Sequence, residues 1–141
     1  MDLTEHKKIK ILNEFRTQLV NFLDEIIEQF PLETDFVLIR LFLKDLPATD
    51  IIGRFIRDLL PLKNEVDNRN ESFFLENTIL YTGGQVQTSK IDHIKSLWTS
   101  NKLDTNDKNV IWDWMDLFMK LADTYHKSFG YIKTWEPVMV N

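Results

Sequence analysis

"FVLIRLFL", residues 36–43, is the stretch on which the fold turns. Arg40 alone interrupts its apolar side chains. A run this apolar suits a strand buried on both faces or a helix buried all round, and periodicity does not separate the two. Its surroundings favour the helix. The element extends from about Thr34 to Leu46, Thr34 or Asp35 stands where a cap is needed, and Pro47 stops it. We read it as a central second helix, covered by its neighbours, with a strand as the alternative.

The flanking segments are helical in pattern. Over residues 4–30, Leu12, Phe15, Leu19, Phe22 and Ile26 recur at steps of three and four, and Leu23, Ile27 and Phe30 widen the stripe. Thr4 is placed to cap this helix and Pro31 closes it. After Pro47, Thr49 is placed to cap a third helix, with Ile52, Phe55, Ile56, Leu59 and Leu60 on one face. Pro61 must kink or end it, because proline lacks the amide donor and crowds the preceding turn. Residues 62–80 are mixed, with Val66 as an anchor and Phe73, Phe74 and Leu75 on a short helix. Gly83-Gly84 hinges a loop over 81–90. Then follow a helix with Ile91, Ile94, Leu97 and Trp98 inward, a turn at 99–104, and a last helix opened by Thr105 with Asp107 and ended at Gly130. The reading is all-α: a single compact domain, 1–141, of about five to six helices, with the apolar tail 129–141 docked on it.

Composition supports a packed helical domain. Hydrophobic residues make up 43% and charged residues 28% of 141, so a core can form. Four glycines and four prolines are too few for the many tight turns of a sandwich or barrel. The net charge of −5 does not favour polyanions or anionic membranes. With no cysteine, disulfides and thiolate metal sites are excluded. The N-terminus is charged and shows no secretory core, and no apolar run approaches the roughly 20 residues a membrane span needs. The expectation is a soluble, intracellular protein with no membrane association.

Three of the four tryptophans, Trp98, Trp112 and Trp114, fall within residues 98–114. At about 100° per residue, Trp112 and Trp114 stand roughly 200° apart on one helix. Trp114 joins Ile111, Met115, Phe118, Leu121, Ala122 and Tyr125 in the core arc, and Trp98 packs on the last helix across the short turn. Trp112 lies with Met119 at the flank of that arc, beside Asp113, Asp116, Lys120 and Asp123. Tryptophan and methionine are enriched where partners meet, so Trp112 and Met119 are the candidate partner contacts. The alternative is that another helix, or the tail around Trp135, covers them.

Nothing in the chain organises into catalytic chemistry. His6, His93 and His126 are scattered, and Asp123-x-x-His126 lacks the second motif and inward carboxylates of a di-iron bundle. No nucleophile elbow or phosphate loop occurs. We read no enzyme, no metal and no cofactor. The basic residues Lys7, Lys8 and Lys10, joined by Arg54 and Arg57 if the first and third helices pack together, are the candidate nucleic-acid contacts. Glu5 and Glu14 dilute them.

The pattern "LWTSNKLDTNDKNVIWDWMDLFMKLADTY" (97–125), preceded by "FLENTIL" (74–80) and "FVLIRLFLKDLP" (36–47), resembles small helical proteins encoded by giant DNA viruses of algae and protists. The resemblance covers roughly residues 15–126. That family brings no reaction or ligand, so it assigns no functional residue. It implies a setting: a viral protein in the host cytoplasm or nucleus, or carried in the particle. The function expected is a non-enzymatic protein-interaction or structural module whose partner is a protein, a homodimer included. Nucleic-acid association is the alternative.

Overall fold

The computed structural model describes residues 3–76 and 88–129, with the backbone alone for 88–91. Seven α-helices occur among them: α1 (Leu3–Gln29), α2 (Thr34–Leu43), α3 (Ala48–Asp58), α4 (Lys63–Asp67), α5 (Glu71–Glu76), α6 (Thr88–Trp98) and α7 (Thr105–Phe129). No strand is present among the described residues, so "FVLIRLFL" is helical and the chain is all-α. The short α4 is the element the sequence pattern did not announce. The loop hinge at Gly83-Gly84, Gly130 and the tail beyond Phe129 lie outside the described residues, as does the side chain of Ile91.

Local chemistry accounts for several helix ends, while four expected caps shift. A 3-10 turn at Leu60–Leu62 holds Pro61, so α3 closes before the proline as its missing donor requires. The α7 cap is Asp104 rather than Thr105. Its Oδ1 accepts from the Asp107 amide at 2.8 Å while Asp107 Oδ2 accepts from the Asp104 amide at 3.1 Å, a reciprocal capping box. Neither α2 nor α3 is closed by a side-chain cap at its start: Glu33 and Pro47 hold the cap positions without a capping hydrogen bond, and Thr34 and Thr49 lie inside the helices, as Thr4 lies inside α1.

Contacts sort the chain into two compact units, one comprising Met1–Pro61 with Phe118–Asn141, the other Leu62–Leu117. In the first, α2 and α3 both pack on α1. Its core is aromatic. Phe118, near the middle of α7, stands 5.5 Å from Phe15, 5.7 Å from Phe22 and 6.1 Å from Phe55 between ring centroids. Leu23, Phe30, Ile52, Ile56, Ala122 and Tyr125 are buried in the same unit. In the second, Val66, Leu103 and Trp112 are buried. Arg69, in left-handed backbone at φ 50°, opens the way into α5, which Asn70 caps through Oδ1 to the Phe73 amide at 3.2 Å.

Tyr125 is fully buried, and its hydroxyl finds no hydrogen-bond partner among the described residues. Burial, and secondarily the carboxylate of Glu5, raises its pKa above the usual value near 10. The folded chain therefore holds this proton more tightly than the unfolded one. Stability is unaffected below about pH 10 and falls as pH climbs beyond it. Tyr125→Phe is expected to leave neutral-pH stability unchanged or raised by up to about 1 kcal/mol, since it removes an unsatisfied group. It should also reduce the alkaline loss. Urea denaturation at pH 7 and above pH 10 checks both; a loss above about 1 kcal/mol at pH 7 would show that the hydroxyl is bonded.

Candidate functional site

Two features stand out, one in each unit. The first is the outward face of α2. Phe36, Arg40 and Leu43 recur at helical spacing on the face turned to α1. Phe36 meets Phe30 at 6.4 Å, the Arg40 guanidinium pairs with Asp24 at 2.5 Å, and Leu43 is buried. Arg16 of α1 ties the helix end down, donating to the carbonyls of Leu43 (2.6 Å) and Leu46. The remaining apolar side chains are left in solvent. Val37, Leu38, Ile39, Leu41, Phe42 and Leu46 are 37–63% exposed, Phe42 the most.

The expected covered, central second helix is thus corrected. The helix is there, but its neighbours cover one face of it. A helix apolar all round is ordinarily buried all round; here the bare side has no cover among the described residues.

The second feature is the tryptophan cluster of the 62–117 unit. Trp112 of α7 lies between Phe74 of α5, at 5.8 Å, and Trp98 of α6, edge-on at 5.7 Å. The Trp98 indole donates to Glu71 Oε1 at 2.6 Å. Lys108 reaches the same oxygen at 3.3 Å, with its ammonium 5.4 Å from the Trp98 ring centroid. Below them Leu75, Ile94, Ile111 and Met115 complete an apolar cavity of about 200 Å³. Beside this cluster, Arg69 donates to Asp113 at 2.6 Å, Asp116 at 3.3 Å and Asn109 Oδ1 at 3.1 Å. The hydrogen bond that Arg69 donates to Asp113, ahead of the charge of both carboxylates, raises the guanidinium's already high pKa. The polar atoms here bond to one another and join α5, α6 and α7 of this unit.

The partner contacts expected at Trp112 and Met119 are corrected by burial: these residues are 8% and 2% exposed. For Trp112 the cover is α5 and α6, through Phe74 and Trp98. Trp114, expected in the core, is only half-buried, as is Trp98. Ile94, expected inward, is exposed. Asp123 and Lys127 form an i,i+4 surface pair at 2.9 Å, and Asp116 turns to Arg69.

Of the candidate nucleic-acid contacts, Lys7, Lys8 and Lys10 lie on α1, with Lys10 in a shallow polar groove beside His6, Asn13 and Glu14. Arg54 is exposed on α3, which does pack on α1. Arg57 is engaged by its neighbour Asp58 at 2.7 Å. Among the described residues no three His, Asp or Glu gather to hold a metal ion, and no helix is long and apolar enough to cross a membrane.

Comparison with known protein families, with curated proteins and with solved structures finds no match. The likeness to giant-virus proteins therefore rests on the quoted residues alone.

The α2 face was present in the sequence as the densest apolar run; what was missing was the cue that one side is uncovered. Trp112→Ala is expected to cost about 3–5 kcal/mol, the usual loss on emptying a buried indole site. Trp114→Ala should cost distinctly less. Urea denaturation followed by far-UV circular dichroism makes the comparison, and equal losses would contradict the burial described.

Proposed function

We propose that the chain is a non-enzymatic protein-interaction module that docks a partner on the outward face of α2. One observation carries this reading: six large apolar side chains stand exposed on and just after a single ten-residue helix. Soluble monomers rarely leave contiguous patches of several hundred Å² bare, and those that do commonly use them for binding. The neighbouring chemistry supports a binding role over turnover. The charged groups around α2 are surface carboxylates, a lysine and two arginines that hold the helix to α1. The viral setting rests on the sequence resemblance, and it makes the partner a virion or host protein.

Nucleic-acid contact is the second reading, favoured by the packing of α3 on α1, which brings the helix of Arg54 against the helix of Lys7, Lys8 and Lys10. Glu14 beside Lys10 and the Arg57–Asp58 pair weaken it.

Phe42→Glu is expected to keep the helical content and to lose the proteins recovered with the wild type from its own cellular setting. Replacing Lys7, Lys8 and Lys10 with Ala should leave them bound. Quantitative mass spectrometry of parallel purifications reads the difference. Partners retained by Phe42→Glu, or a salt-dependent DNA or RNA shift lost with the lysines, would overturn the ranking.

A further inference from the structure

Resting on the docking reading above, the bare face of α2 also carries information about what fits it. Its six exposed side chains present roughly 300–600 Å² together, given the area that each aliphatic or aromatic side chain offers when fully exposed. Stable homodimers bury on the order of 1,000 Å² or more per copy, and more apolar surface than this. One helix laid along the face is the better match in size, since an amphipathic helix engages such a surface through three or four anchors on one stripe.

Charge narrows the choice further. Glu28 on the last turn of α1, Asp35 on the first turn of α2 and Asp45 just past its end are exposed. Among the described residues none of these three carboxylates has an ion pair or side-chain hydrogen bond. Against them stands one exposed lysine at the end of α2, Lys44. The two nearby arginines are already occupied, Arg40 by Asp24 and Arg16 by the carbonyls of Leu43 and Leu46. The unpaired rim is thus net acidic on a chain of net charge −5. A second copy would bring this rim against its own like charges, and an anionic lipid surface would be repelled by it.

We infer that the partner presents a basic amphipathic helix: an apolar stripe that covers Leu38, Leu41 and Phe42, flanked by lysines or arginines that meet Glu28, Asp35 and Asp45. The apolar stripe supplies the affinity. The rim charges select the partner and speed its encounter.

Two fluorescent peptides of about 18 residues, five helical turns, test this on the full chain. Both carry the same leucine stripe; one is flanked by lysines, the other by glutamates. Fluorescence anisotropy at low and at high salt is expected to show the lysine peptide binding about tenfold more tightly, the size that two or three rim pairs give. Its affinity should fall as salt screens those pairs. Phe42→Glu should abolish binding of both peptides. The triple variant Glu28→Gln, Asp35→Asn, Asp45→Asn, which alters exposed residues only, should bring the lysine peptide down to the glutamate one.

Equal binding of the two peptides, still lost with Phe42→Glu, would overturn the basic-helix inference and leave the docking reading standing. A dimer seen by sedimentation and broken by Phe42→Glu, with neither peptide bound, would assign the face to a second copy and overturn the inference. Binding to phosphatidylserine vesicles in place of the peptides would overturn it too. A monomer that binds neither peptide would defeat the inference, and wild-type co-purification retained by Phe42→Glu would defeat the reading beneath it.

Discussion

The ring of Phe118 meets Phe15, Phe22 and Phe55, and the organisation of its unit follows from that contact. Two of the three rings come from α1 and one from α3. Edge-on and tilted pairs of this kind add about 0.5–1.5 kcal/mol each beyond the area they bury. Phe15 and Phe55 also meet each other edge-on at 5.6 Å, so the four rings lock α1, α3 and the middle of α7 as one set. With α1 engaged there, α2 is left to join the unit through Phe36, Arg40 and Leu43, and a single face is all those residues provide. The exposed leucines and Phe42 are the consequence.

The 62–117 unit solves a different problem. Its aromatic residues are fewer, and its polar groups close on one another. Glu71 satisfies the Trp98 indole and holds Lys108 over the same ring, while Arg69 gathers Asn109, Asp113 and Asp116. A buried or half-buried donor left without a partner costs about 1–3 kcal/mol, so this closure suits a packing role. The contrast with α2 is chemical. One region pairs its polar groups with one another at the surface over a tryptophan cluster; the other leaves apolar groups in water with a carboxylate rim.

The helical class, the α1 stripe and the anchor Val66 were legible because local pattern decides them: Phe15, Leu23 and Phe30 are buried at the spacing that a helix in contact with a core requires. Phe118, Ala122 and Tyr125 likewise fall where the arc on α7 put them. The tryptophans went the other way for a reason that periodicity cannot carry. α7 serves both units, passing from one to the other between Leu117 and Phe118, so its apolar side chains do not follow a single stripe along its whole length. Trp112 and Met119 are therefore buried from the flank of the stripe while Trp114, nearer its centre in sequence terms, is half-exposed. For α2 the difficulty is more general. An apolar side chain registers the same way whether its cover belongs to this chain or to another molecule, so the run at 36–43 read as a buried centre.

Phe118 holds its unit together, and Phe42 contributes little to that stability. Urea denaturation of Phe118→Ala and Phe42→Glu beside the wild type tests it most directly. Phe118→Ala is expected to lose about 3–5 kcal/mol, as emptied phenylalanine sites do, and Phe42→Glu less than about 1 kcal/mol, as exposed positions do. A loss for Phe42→Glu as large as that for Phe118→Ala would place the outward face of α2 in the core instead.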